Sequence, residues 1–217
     1  EIIKKYFYND KFYKTIIKKK NDPRLIKEYK KILFYKKKIK FVYQNKPLGT
    51  GDAVFKAKKF IKDKYFLLLL PDDLIIKKNC SKEMIKVHKK YKAPVMASLK
   101  VKRNNVDRWG IYSISKILDK SNFKISDVVE KPNSNLAPST NAVIGRYILN
   151  KDIFKYLKKQ KKGKGGEIHI TDTIRKMISK NNLFIGHKFS GKYLDCGTMS
   201  GYINSGIQIS KLWKYVW

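Results

Sequence analysis

Over the first third of the chain, apolar positions recur at helical spacing. Ile2, Ile3, Tyr6 and Phe7 share one face, and Asp10 stands where it would cap a second segment through Ile17. Asn21-Asp22-Pro23 resets the chain, with Asp22 at N-cap and Pro23 at N1 of a helix reaching Leu33. The period then changes. Residues 39–44 read as a strand, and 47–51 as a glycine-containing turn opening a helix over 52–61. Residues 65–70 are apolar without alternation, the pattern of a parallel strand buried on both faces. A helix over 81–91 leads to another apolar strand at 94–101. Further strands are expected at 110–114, 124–131, 142–149, 183–189 and 193–194, with helices at 151–158, 170–180 and from Thr198 onward. Alternating strands and helices argue for one α/β domain, residues 1–217, with a mainly parallel, mixed sheet.

Composition changes this picture in two ways. With 42% apolar and 13% aromatic residues among 217, the chain has enough surface to bury to offset its ordering entropy, so it folds despite a formal charge of +34. That charge comes from 51 basic against 17 acidic residues, yet only Arg24, Arg103, Arg108, Arg146 and Arg175 are arginines. Nucleic-acid readers concentrate basic residues on one face and use Arg for bidentate contacts. Lysines scattered along the whole chain, beside abundant Ile, Asn, Tyr and Phe, look instead like the drift of an AT-rich genome, which argues against nucleic acid as partner. The longest apolar run, 66–70, is far short of the ~20 residues that span a bilayer. No membrane partner is expected. Two cysteines, Cys80 and Cys196, make no disulfide framework, and the first residues hold no apolar signal region, so a cytoplasmic protein is expected.

Candidate chemistry sits at strand ends. Asp72 and Asp73 follow the 65–70 strand, where ligands of open α/β sheets bind, although either carboxylate would also serve to cap a turn. Asp195 ends another strand before Gly197. Two such carboxylates about 5 Å apart would repel by ~3 kcal/mol at an effective dielectric of ~20. A cation between them, completed by water and phosphate, is the usual magnesium environment. Gly49-Thr-Gly51 would admit a ligand to the backbone, or simply make a tight turn. Glu130-Lys131-Pro132 reads by itself as a surface ion pair before a turn. His88, His169 and His187 have no recognisable triad partner, and packing or surface roles are expected of them.

In order, Gln44-Asn-Lys-Pro47-Leu-Gly49-Thr-Gly51-Asp-Ala-Val54, Leu70-Pro-Asp72-Asp73, Trp109-Gly110-Ile, Val128-Val-Glu130-Lys131-Pro132, Ala142-Val-Ile-Gly145-Arg146-Tyr147, Gly165-Gly-Glu167-Ile-His-Ile-Thr171-Asp172 and Tyr193-Leu-Asp195-Cys196-Gly197 span nearly the whole chain. Together they resemble the bacterial UTP–glucose-1-phosphate uridylyltransferases of the sugar-nucleotidyltransferase superfamily. The resemblance implies a Rossmann-like nucleotide-diphospho-sugar transferase fold, with Mg2+ as cofactor and UTP, glucose 1-phosphate and UDP-glucose as partners. It aligns Gln44, Pro47 and Gly49 with a uracil pocket, with Gly51 in the same nucleotide-binding turn. Gly110, Glu130, Val143 and Glu167 fall in the sugar-binding motifs. Lys131 matches the lysine that contacts the sugar phosphate, and Asp72 and Asp195 the magnesium carboxylates, Asp72 beside the α-phosphate.

The family opens with a glycine-rich loop carrying an Arg and a Lys that clamp the triphosphate, and nothing like Gly-x-Gly-Thr-Arg occurs here. The resemblance therefore implies an N-terminally incomplete chain, also slightly short at Trp217, that is marginally stable and without transfer activity alone. The longer family members suggest a homo-oligomer. Thymidylyl or adenylyl transfer within the superfamily, and a non-catalytic polyanion binder driven by the charge, are the rival readings.

Overall fold

The helical spacing at the start of the chain is realised as α1 (Ile2–Tyr8), α2 (Lys11–Lys20) and α3 (Pro23–Lys36). They belong to the first of two units, Glu1–Asn45 and Lys46–Trp217. The computed structural model describes residues 2–212, so Glu1 and the expected early end at Trp217 lie outside the described residues. Asp22 caps α3 as expected, accepting the Arg24 amide at 2.7 Å. Asp10 does not cap α2. Its carboxylate instead accepts the Tyr29 hydroxyl of α3 at 2.5 Å, a bond that holds it below the usual carboxylate range. Residues 39–44, expected as a strand, form none. Extended backbone becomes a strand only where a neighbour takes its N–H and C=O groups, and no described strand pairs with it.

In the second unit α4 (Thr50–Lys56) is shorter than the expected 52–61, because the helix tightens into a 3-10 turn at Ala57–Phe60. Six strands form one sheet in the order β1-β6-β3-β7-β5-β4. These are β1 (Tyr65–Leu69), β3 (Val95–Lys100), β4 (Gly110–Ile117), β5 (Asn122–Glu130), β6 (Asn141–Asn150) and β7 (Ile185–Lys188). A separate two-stranded ribbon pairs β2 (Asp73–Ile76) with β8 (Lys192–Asp195), and the pattern had not predicted β2. The helices are α5 (Cys80–Tyr91), α6 (Ile153–Lys158), α7 (Ile170–Ser179) and α8 (Met199–Leu212). The α/β class with a mixed sheet is as expected. Among the described residues only β3–β7 is a parallel ladder, yet β1, β3, β4 and β7 share one direction because β6 and β5 run against them.

Helices cover both faces of the sheet. Met96, Val143 and Tyr147 face a core with Phe154, Leu157, Ile174 and Met177 of α6 and α7, while Val95, Ala97, Ile144 and Ile148 face Met84 and Val87 of α5. Alternate residues of β3 and β6 thus enter opposite cores, and these are the strands buried on both faces. β1 is not. It lies at the sheet edge with β6 as its described partner, leaving Leu67 and Leu69 exposed. No helix among the described residues is long and apolar enough to cross a membrane.

The ribbon is docked on the sheet by one half-buried acid. Asp73 Oδ2 accepts the Gly145 amide of β6 at 2.6 Å, and Oδ1 accepts the Tyr193 hydroxyl of β8 at 2.5 Å. Arg146 donates to the carbonyls of Leu70, at 2.5 Å, and of Asp73, closing the corner between β1 and β2. A Cβ on Gly145 would stand 2.5 Å from Asp73 Oδ2, so glycine is required there. Burial pushes the Asp73 carboxyl above its ordinary value, against the opposing pull of both hydrogen bonds. The fold therefore favours protonated Asp73. Its ionised form lowers stability at neutral pH; that deficit fades as pH falls through the raised folded value and is gone below the unfolded value of about 3.8. Asp73→Asn keeps an acceptor for Gly145 without the charge. In urea melts, lowering pH from about 7 to about 4 is expected to shift the stability difference between the two proteins toward wild type. A shift toward the variant would show that hydrogen bonding to the carboxylate outweighs its burial.

Candidate functional site

The β2–β8 ladder sets Asp73 opposite Asp195, which brings the neighbouring Asp72 to the same end of the ribbon. The Cys196 amide donates to the Asp72 carbonyl at 2.8 Å, fixing the crossing of the two chain segments. Gly197 leaves a gap between the carboxylates: a Cβ there would lie 3.0 Å from Asp72 Oδ2 and 3.4 Å from Asp195 Oδ1. Asp195 is further held by the Gly197 amide on Oδ1 and by Arg108 Nη2 on Oδ2, both at 2.9 Å. Asp72 and Asp195 thus both stand beside Gly197. Asp73, its side chain committed to Gly145 and Tyr193, anchors the fold instead.

A second cluster forms where β4 meets β5. Gly110 pairs with Glu130, and the Ile111–Ala142 bridge brings β6 alongside. A Cβ on Gly110 would stand 3.2 Å from both Glu130 Oε2 and Val143 Cγ2. Glycine therefore leaves room over an exposed carboxylate, flanked by apolar Val143. Thr171, at the start of α7, donates its hydroxyl to Glu130 Oε2 at 3.3 Å. Lys131 follows in the left-handed region, φ 46°, with its amide bonded to the Trp109 carbonyl at 3.0 Å. Trp109 also joins the two clusters, because its neighbour Arg108 is the partner of Asp195.

The glycines of the turn at 48–51 pack closely against another chain segment. Gly49, at φ 95°, and Gly51 lie against residues 167–168: the Gly51 amide donates to the Ile168 carbonyl and the Ile168 amide to the Leu48 carbonyl, each at 2.7 Å. A Cβ on Gly49 would stand 2.9 Å from Glu167 Cβ, so Glu167 lies beside this turn. Pro47 precedes the turn and is exposed, whereas Gln44 falls in the first unit.

Away from these clusters, His187 is buried between Asn122 Oδ1 at 2.9 Å and Glu83 Oε2 at 3.3 Å, a packing role. His88 bonds the Ala93 carbonyl. Burial pushes the Cys80 thiol up to about 12, which leaves it inert. Among the described residues no group of three or more His, Cys, Asp or Glu is placed to hold a metal. Sequence reasoning missed Arg108, Arg146, Tyr193 and Thr171. The signal for the first two was their rarity: each of the five arginines makes a directed contact, to Asp22, the Ala137 carbonyl, Asp195, the Leu70 carbonyl and Asp127 respectively.

This arrangement has relatives. The profile of the nucleotidyl transferase family matches residues 3–211. A UTP–glucose-1-phosphate uridylyltransferase of Pseudomonas aeruginosa is 36% identical over 168 residues, 76% of this chain and 60% of that protein. A solved UDP-glucose pyrophosphorylase complexed with UDP-glucose superposes with a TM-score of 0.74 at 36% identity, covering 79% of this chain and 66% of that one. An apo UDP-glucose pyrophosphorylase gives a TM-score of 0.83 at 33% identity, covering 96% and 77%. The chain spans 54–60% of the length of the first curated relatives it matches. With the motifs in family order and the fold superposing over most of its length, the chain belongs to the nucleotidyl transferase family.

Proposed function

We propose that this protein transfers the uridylyl group of UTP to glucose 1-phosphate, giving UDP-glucose and pyrophosphate. The observation that carries the reading is the open space that Gly110 leaves over Glu130 and Val143, linked through Arg108 and Trp109 to the Asp72–Asp195 pair. Glu130 then accepts hydrogen bonds from glucose hydroxyls, and Lys131 holds the sugar phosphate. The turn carrying Pro47, Gly49 and Gly51, with Glu167 beside it, contributes to the nucleotide side. A phosphate oxygen of glucose 1-phosphate attacks the α-phosphorus of UTP as the bond to the β-phosphate oxygen breaks and pyrophosphate leaves. The nucleophile is already anionic, so no strong general base is needed. The barrier lies in bringing polyanions together in line, which orientation and fixed positive charge lower.

Two carboxylates meeting over a gap that a Cβ would fill suit a hard divalent cation completed by water and phosphate. Asp72 and Asp195 would hold Mg2+, which supplies charge stabilisation at the phosphates. Both units then form one nucleotidyltransferase domain, a reading supported by the family profile running across their boundary. Two free cysteines fit a reducing, cytoplasmic setting. A homo-oligomer fits α8, whose exposed Met199, Tyr202, Ile203 and Ile207 form an uncharged face on a chain of +34.

The test is pyrophosphate release from UTP and glucose 1-phosphate by the purified chain joined to a relative's glycine-rich triphosphate loop. Preference for another nucleoside triphosphate would overturn the uridylyl assignment. For the metal, calorimetry is expected to find UDP-glucose bound more tightly with Mg2+ than with EDTA, and Asp72→Asn is expected to erase most of that difference. For the sugar pocket, Glu130→Gln removes a charged acceptor worth about 1–3 kcal/mol, so KM for glucose 1-phosphate rises roughly 5- to 150-fold while KM for UTP barely changes. A loss confined to UTP would move Glu130 to the other half of the site.

A further inference from the structure

Arg108 meets Asp195 on the oxygen that the Gly197 amide leaves free, Oδ2. The guanidinium carbon also lies 4.8 Å from the centroid of the Trp109 ring, and the side chain is half exposed. Beside it opens a cavity of about 340 Å³ whose walls include the amides of Asn204 and Gln208. Val106, fully buried one turn earlier, accepts the Trp109 amide through its carbonyl at 3.2 Å and fixes the short helix that presents Arg108. Arg108 therefore has a fixed backbone, an ionic partner, an aromatic surface and an open space within its reach.

A carboxylate facing Asp72, with half-buried Asp73 next to it in sequence, needs positive charge nearby. Arg108 supplies it here. A divalent cation entering between Asp72 and Asp195 would compete for the same carboxylate and repel the guanidinium. We propose that Arg108 is a positioning residue that serves as the counter-cation of the metal-free site and yields Asp195 to an arriving divalent ion. This rests on reading Asp72 and Asp195 as the metal carboxylates. Arginine suits the task better than lysine because its planar, weakly hydrated guanidinium keeps its contact with the Trp109 face after releasing Asp195. The consequence is that bare metal binds weakly, and a phosphate-bearing substrate, bringing its own negative charge, favours metal entry.

The proposal is tested by Mn2+ titration followed by electron paramagnetic resonance, on wild type, Arg108→Ala, Arg108→Lys and Asp195→Asn, with melting curves in EDTA and in Mn2+. Arg108→Ala is expected to bind Mn2+ roughly three- to fivefold more tightly, the scale of a part-exposed ion pair. Its melting temperature is expected to fall in EDTA and to recover with Mn2+, a crossing that a merely structural role would not produce. Arg108→Lys keeps the charge and is expected to stay close to wild type in Mn2+ affinity. Unchanged or weaker Mn2+ binding by Arg108→Ala, with binding still lost in Asp195→Asn, overturns the role of Arg108 alone. Mn2+ binding indifferent to Asp195→Asn overturns the metal reading beneath it.

Discussion

The hydrogen-bonded carboxylate of Asp73 is the constraint on which the candidate site depends. One side chain joins the Gly145 amide in β6 to the Tyr193 hydroxyl in β8, so the β1–β2 corner, the sheet and the outer ribbon share a single point. Arg146 adds a second fastening by donating to the Leu70 and Asp73 carbonyls on the same corner. Burial pushes Asp73 and Tyr193 upward from their ordinary values, the expected result of withdrawing both from water. With Asp73 so occupied, Asp72 is the neighbour left exposed, and the ladder register carries Asp195 to meet it. A Cβ on Gly145 would overlap the Asp73 carboxylate at 2.5 Å, and one on Gly197 would crowd Asp72 Oδ2 at 3.0 Å.

Three consecutive residues connect this corner to the sugar-side cluster. Arg108 bonds Asp195, the Trp109 carbonyl receives the Lys131 amide, and Gly110 pairs with Glu130. The carboxylate pair is thus linked to Lys131 by one ion pair, one peptide link and one hydrogen bond. The scattered lysines that dominate the charge have no such geometry. An exposed ammonium is a hydrated point charge on a flexible stem, whereas the guanidinium binds through several donors in one plane. The electrostatics of the site reside in a few arginines and aspartates.

Much of the second unit was legible in the sequence. Periodicity located α5, α7 and β3 to within a residue or two, since alternation and helical spacing are local properties that packing then uses. Order of motifs along the chain identified the family, and Asp72, Asp195, Gly110 and Glu130 occupy the two clusters. Other features depended on neighbours. The apolar run of β1 reads like a central strand but lies at the edge of the described sheet, and residues 39–44 have strand composition yet join no described ladder. A strand's burial is decided by what pairs and packs beside it, which its own residues do not specify.

Residue identity therefore determined the element types, the glycine and carboxylate inventory and the family. Tertiary structure alone decided that Asp73 would be the anchor and Asp72 the free carboxylate, that the glycines at 49 and 51 admit another chain segment, and that Arg108 faces Asp195 across 87 positions of sequence. The physical reason is range. Hydrophobic period and backbone preference act over a few residues, whereas burial of a charge and the approach of two backbones exist only once distant segments have met.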